Sequence, residues 1–317
     1  MKKRLLTIAL IISASLCFAG CSKYDKDEIS YRDKGIEAMD NGDYDKAIKY
    51  FNKALNCSIG KVTDLELDID YYKAAAQYSA GNFADAEKTY TYLIRYDDKN
   101  YKPYFLRGSI YAGEGEIGKA IKDYDAAIAI DEKNYLLYIE IYDNLNALGF
   151  TDQALVYLND ALDVEDKSAE SKYYKGRIYY MLGQSDEAEK LLKQAVEKDV
   201  VEARLYLAKI YQDQENYDGA QKLLEEYASS ENVTSEALGT LGDIELTNGN
   251  YENALNYYEA GLNLDSIDNM PQLMKGKVAA LEKLKRFQEA RDVLTQYLEK
   301  YPNDEEAQKE QIFLQSR

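Results

Sequence analysis

Three thiols and an excess of carboxylates are the groups here that could do chemistry, and their surroundings decide which chemistry is open to them. The thiols are Cys17, Cys21 and Cys57, and the sequence has no histidine. A histidine triad and zinc held by histidine are therefore closed off, and Cys57 has no imidazole to activate it. It reads as a partly packed residue at a helix end. Asp40, Asp43 and Asp45, and again Asp64, Asp68 and Asp70, suggest calcium by their closeness, but neither group has the glycine-centred loop spacing. Solvated acids at helix ends account for them. The run Gly113-Glu114-Gly115-Glu116-Ile117-Gly118 has the form of a dinucleotide-binding turn, yet it follows a helical stretch, and its two glutamates would repel a pyrophosphate. Acids are so common that no acid–base pair stands out. The expectation is no catalytic residue, no metal and no cofactor: not an enzyme.

Cys21 has a more specific setting. Lys2, Lys3 and Arg4 precede an uncharged apolar run from Leu5 to Ala19, the pattern of an export signal. Its fifteen residues fall short of the ~20 a helix needs to span a bilayer. Phe18-Ala19-Gly20-Cys21 resembles the bacterial lipobox, with Phe18 where an aliphatic residue is usual. That resemblance implies removal of signal residues 1–20, palmitate-type acylation of Cys21, and a lipoprotein held on the extracytoplasmic face of a cell membrane. Residues 21–28, polar and unpatterned, then serve as a tether. Cleavage near Ala19 with release of a soluble protein is the alternative. With Cys17 removed and Cys21 acylated, Cys57 is left without a partner for an intramolecular disulfide.

The elements that would carry any binding surface are helices. At 46% hydrophobic and 30% charged residues the chain has material for a core, and only three prolines interrupt it. Its formal charge is −18, and three units more negative once Lys2, Lys3 and Arg4 are removed, which argues against nucleic acid as a partner. Solubility explains most of that charge.

Aligning the chain on recurring Gly-x-x-x-x-Ala segments places alanines at 47, 86, 120, 154, 188, 220, 254 and 290, with 34 residues the commonest spacing. The third repeat carries Tyr104, Gly108, Tyr111, Gly115, Ala120, Tyr124 and Ala127; the first carries Gly35, Gly42, Ala47, Phe51 and Ala54 in the same register. This period and pattern resemble the tetratricopeptide repeat. The family implies an all-α fold: an α-solenoid, a right-handed superhelix of about eight helical hairpins over 29–303, closed by a capping helix over 304–317. Gly42, Gly81, Gly115, Gly149, Gly183 and Gly249 are expected to end the first helices in a left-handed conformation. Tyr142 departs from the pattern where a small residue is expected, as do Tyr227 and Tyr297 where alanine is.

In this family positions 2, 5, 6, 9, 12 and 13 of each first helix line a concave groove that contacts the ligand. The Lys and Asn pattern of the clamp for chaperone C-terminal peptides is not found, since the first repeat offers Arg32 and Ile36 and the second Tyr71 and Tyr72. Tyrosine occupies the groove instead: Tyr71, Tyr72 and Tyr78 in the second repeat, Tyr173, Tyr174 and Tyr180 in the fifth, with Phe105 and Tyr206 extending the set. Tyrosine suits a hot spot by its area and hydroxyl, and equally suits helix-to-helix packing. If they bind, Tyr72 and Tyr174 are expected to be largely exposed, and both triplets to lie on one concave wall where a single ligand could touch both. The implied function is a membrane-anchored scaffold holding peptide segments of envelope or secretion partners. A ligand-capture module passing a small molecule or glycan to a transporter is the rival.

Cys21→Ala is expected to block acylation and leave unprocessed precursor, because the thiol is the acyl acceptor. Membrane fractionation with mass spectrometry checks this, and a variant that matures normally into soluble protein would remove the lipoprotein assignment.

Overall fold

The computed structural model describes residues 23–57, 62–230 and 232–315; Cys17, Cys21 and the segment read as an export signal lie outside them. Seventeen α-helices and no strand are found among the described residues. No helix among them is long and apolar enough to cross a membrane.

Chain contacts divide the protein into two compact units, Met1–Asn134 with Asp143–Ala154, and Tyr135–Tyr142 with Leu155–Arg317. In the first, α1 (Lys23–Asp40) pairs with α2 (Tyr44–Cys57), α3 (Asp64–Ser79) with α4 (Phe83–Tyr96), and α5 (Tyr101–Gly113) with α6 (Ile117–Ile130). The helices α7 (Tyr135–Ala147) and α8 (Thr151–Asp163) are divided between the units. In the second unit α9 (Ala169–Met181) pairs with α10 (Ser185–Val196), α11 (Ala203–Asp213) with α12 (Tyr217–Ala228), α13 (Ser235–Thr247) with α14 (Tyr251–Leu262), and α15 (Met270–Lys283) with α16 (Phe287–Lys300). The last helix, α17 (Glu305–Gln315), packs on α16.

One steric fit recurs inside these hairpins. A Cβ built on Gly108 would stand 2.8 Å from the Tyr124 ring, one on Gly176 2.8 Å from Leu192, and one on Gly242 2.5 Å from Tyr258. Gly35 is filled in the same way by Phe51. The small residue on the first helix is thus a socket for the large one on the second, and this sets how closely the helices approach. Ala47, Ala86, Ala120, Ala188, Ala220, Ala254 and Ala290 on the second helices are fully buried beside it.

The turns obey a backbone rule more general than glycine. Gly42, Gly81, Gly115, Gly149, Gly183 and Gly249 all have positive φ, between 73° and 89°. Glu215 and Lys285 take the same place in the sixth and eighth hairpins with φ of 61°, a conformation that costs a residue with a Cβ about 1–2 kcal/mol. Positive φ at Asp199 marks the junction where the repeat shortens to 32 residues.

The beginning of the array differs from the sequence expectation. Helix α1 already runs from Lys23, so residues 23–28, read as part of a tether, are helical, and Glu28 is buried. No glycine or proline interrupts Lys23–Lys34. Cys57 ends α2 half-buried, its thiol donating to the Lys53 carbonyl.

The final helix is held by groups that titrate in opposite senses. The Asp304 carboxylate accepts from Lys275 Nζ at 2.6 Å, Tyr297 Oη at 2.7 Å and the Ala307 amide at 3.1 Å. These donors hold its pKa far below the ordinary value of 3.8. Across α15 and α17, burial first and then the hydrogen-bonded Glu310 carboxyl push the Glu282 carboxyl up to about 7.

Three outcomes follow from this geometry. Gly108→Leu or Ala120→Leu should cost about 1–3 kcal/mol by overpacking, read as a lower denaturant midpoint, and unchanged midpoints would contradict the socket. Glu215→Gly and Lys285→Gly should each add up to about 1 kcal/mol, whereas Gly115→Ala should lose about as much; the opposite signs would show that these turns are not left-handed in solution. For Glu282, the folded chain binds the proton more tightly than the unfolded one. Its contribution is therefore full below the ordinary 4.5 and is lost as pH rises through about 7. Melting curves between about pH 5 and about pH 8 should show a decline with rising pH that Glu282→Gln removes, and an identical decline in the variant would refute the assignment.

Candidate functional site

The first helices of the hairpins bring the sequence-predicted tyrosines to where neighbouring helices meet, in two separate groups. In the first unit the Tyr72 ring stacks on Phe51 with centroids 6.0 Å apart, and the Arg32 guanidinium lies 5.4 Å from its centre. Arg32 is in turn bonded to Asp68. Tyr71 accepts from Asn100 Nδ2 at 3.0 Å, a bond from the N-cap of the following hairpin. Tyr78 tilts against Phe83 at 5.4 Å and Phe105 against Tyr124 at 5.9 Å.

In the second unit the aromatic residues touch one another. Tyr174 stacks on Tyr135 at 5.6 Å with the rings 9° from parallel, and meets Tyr173 at 4.7 Å. Tyr206, one hairpin further on, contacts Tyr173 at 6.0 Å and Tyr180 edge-on at 6.2 Å. Two cations lie at the Tyr206 ring, Lys209 Nζ at 4.7 Å and the Arg177 guanidinium at 5.3 Å from its centre. Lys209 is also paired with Glu236 at 2.8 Å. Such contacts favour a cation over an aromatic face and orient it.

These positions are less open than their helix register implies. Tyr173 is 8% exposed and belongs to the core; Tyr71, Tyr72, Tyr78, Phe105, Tyr174, Tyr180 and Tyr206 are half-buried. The expectation that Tyr72 and Tyr174 are largely exposed is therefore corrected: Phe51 and Tyr135 from the preceding hairpins cover one face of each ring. Burial above all raises the hydroxyl pKa values of Tyr71, Tyr72, Tyr78, Tyr173, Tyr174 and Tyr180, so these groups are neutral near pH 7 and serve as hydrogen-bond donors or acceptors. Tyr71, Tyr72 and Tyr78 fall in the first unit, and Tyr173, Tyr174 and Tyr180 in the second.

Sequence reasoning missed Arg177, Lys209 and Tyr135. Arg177 follows Tyr173 by four residues and Lys209 follows Tyr206 by three, the spacing that puts a cation on the same helix face as the ring before it. No group of three or more Cys, Asp or Glu residues with metal-binding geometry occurs among the described residues.

Family models described as tetratricopeptide repeat match residues 31–56, 71–135, 145–202, 205–271 and 240–305. A TPR repeat-containing protein of Methanocaldococcus jannaschii, MJ1428, is 26% identical over 208 residues, 65% of this chain and 30% of its own length. Tetratricopeptide repeat protein 14 of Mus musculus is 28% identical over 113 residues, 35% of this chain and 13% of that protein. The chain thus spans less than a third of either curated relative. Among solved structures, a tetratricopeptide repeat protein from Parabacteroides merdae aligns with a TM-score of 0.50 and 17% identity over 81% of this chain and 99% of its own. The Cut9–Hcn1 assembly of the APC/C gives 0.54 and 14% over 89% and 54%. PilW, a type IV pilus biogenesis factor, gives 0.50 and 17% over 66% and 97%. At these identities the structural likeness shows the fold.

Because the rings are shared between hairpins, Tyr72→Ala and Tyr174→Ala should each lower stability by about 1–3 kcal/mol, below the cost of a fully buried aromatic. Tyr174→Phe should keep the stack and cost less than about 1 kcal/mol. Equal melting temperatures for Tyr174→Ala and the unmodified chain would mean that the ring is not packed in solution.

Proposed function

The chain belongs to the tetratricopeptide repeat family, and on that premise we propose that it is a non-catalytic scaffold holding peptide segments of envelope or secretion partners. Packed helical hairpins of this kind suit protein–protein interaction, because stacking leaves one face of every first helix available along each unit. The observation that carries the reading is the group Tyr174, Tyr180, Tyr206, Arg177 and Lys209. Their rings and cations are fixed by packing yet half-exposed, which lowers the entropy lost when a partner binds. Attachment to the extracytoplasmic face of a membrane is part of the proposal. It rests on the basic start, the apolar run and Cys21, none of which lies among the described residues.

The test is site-specific photocrosslinking in the native host, with benzoylphenylalanine in place of Met181 beside Tyr180. A stoichiometric protein adduct in the membrane fraction, reduced at least tenfold when Tyr174 and Tyr206 are both changed to Phe or Leu, is the expected result. Absence of any protein adduct here and at the equivalent Ser79 would overturn the scaffold reading.

A further inference from the structure

Among the described residues, half-buried arginines other than Arg177 are met by an acceptor. Arg32 bonds Asp68, Arg107 forks onto Asp123 at 2.7 and 2.8 Å, Arg204 meets Glu226 at 3.2 Å, Arg286 pairs with Glu289 at 2.6 Å, and Arg291 donates to the Leu314 carbonyl at 2.9 Å. Arg177 pairs with no carboxylate. It stacks against Tyr206 and lies beside the Tyr173 hydroxyl, while its Nε is enclosed without an acceptor. The cations near it are already engaged, Lys209 by Glu236 at 2.8 Å and Lys175 by the Leu162 and Val164 carbonyls at 2.7 and 2.6 Å. In a chain with 57 acidic residues against 39 basic ones, a half-buried guanidinium left over is a directional feature.

We propose that Arg177 anchors a subsite in the second unit that binds the carboxylate of a single acidic side chain in a partner peptide, with a neighbouring apolar side chain laid against Tyr174 and Tyr180. This deepens the scaffold reading and rests on it. Stacking on Tyr206 and the bond to the Tyr173 hydroxyl hold the guanidinium in one orientation. The planar fork of a guanidinium matches carboxylate oxygens in a way that the point charge of lysine does not reproduce. The aromatic surroundings exclude part of the water that would otherwise compete. The rim limits the ligand to one acid: Glu170 and Glu202 lie near Tyr174, and Asp213 and Glu236 near Tyr180, so a run of acids or a nucleic acid strand is repelled. The same rim favours a basic residue elsewhere in the peptide.

The test is selection of a random-peptide phage library on the full mature chain and on Arg177→Gln in parallel. The unmodified protein should enrich peptides with one Asp or Glu beside an aromatic or aliphatic residue, and Arg177→Gln should lose the acidic enrichment. A selected peptide should bind roughly tenfold or more weakly to Arg177→Gln, with Arg177→Lys between the two. Changing the peptide's own acid to its amide should cause a similar loss on the unmodified chain, an arm that stands even if Arg177→Gln fails to fold. Peptides without acidic enrichment, or identical selections from both proteins, would overturn the subsite while leaving the scaffold intact. No enriched peptide at all would overturn both.

Discussion

The fit of one side chain into the place of a missing Cβ sets the spacing on which the rest of the structure depends. In four hairpins a glycine on the first helix, Gly35, Gly108, Gly176 or Gly242, accepts Phe51, Tyr124, Leu192 or Tyr258 from the second. Ala74 and Ala208 take the same place, fully buried, in hairpins where Tyr90 and Leu224 are the large residues. The two helices approach only as far as this contact allows, and dispersion over a dense interface rewards the approach. Once that spacing holds, the next hairpin meets a surface of defined shape, and burial can continue from repeat to repeat.

Tyrosine makes this arrangement both apolar and specific. Its ring fills the core, while its hydroxyl needs a partner when buried and so constrains what lies beyond. Tyr258 donates to Asp243 at 2.6 Å, Tyr124 to Asn144 at 2.8 Å, Tyr227 to the Asn232 carbonyl at 2.7 Å and Tyr297 to Asp304 at 2.7 Å. Tyr227 and Tyr297 stand where the repeat pattern has alanine, and each ties the end of its helix to the turn that follows. The abundance of tyrosine is thus first a matter of folding.

The charge excess acts alongside that core. Several basic groups are paired within the chain, as in the Arg107 fork onto Asp123 and the bond of Lys275 to Asp304. On the proposed reading a partner meets a surface on which acids outnumber cations, so a half-buried cation such as Arg177 carries more discriminating power than its single charge suggests.

The sequence by itself determined the hairpin period, the register of small and large residues, the six glycine turns and the exclusion of histidine chemistry. Each is a local property: a left-handed turn or a residue without a Cβ is written into one position and its near neighbours. Tertiary structure decided the rest. Helix register places Tyr72 and Tyr174 on the face that the family uses for ligands, but register says nothing of the Phe51 and Tyr135 rings that the preceding hairpins lay over them. Glu215 and Lys285 carry no sign in their residue type that the hairpin forces them to positive φ. Glu28 reads as part of a polar tether until helix α1 carries it into a buried position. For the two tyrosines the deciding contact comes from packing at a distance along the chain, where many weak interactions outweigh the preference of the single residue.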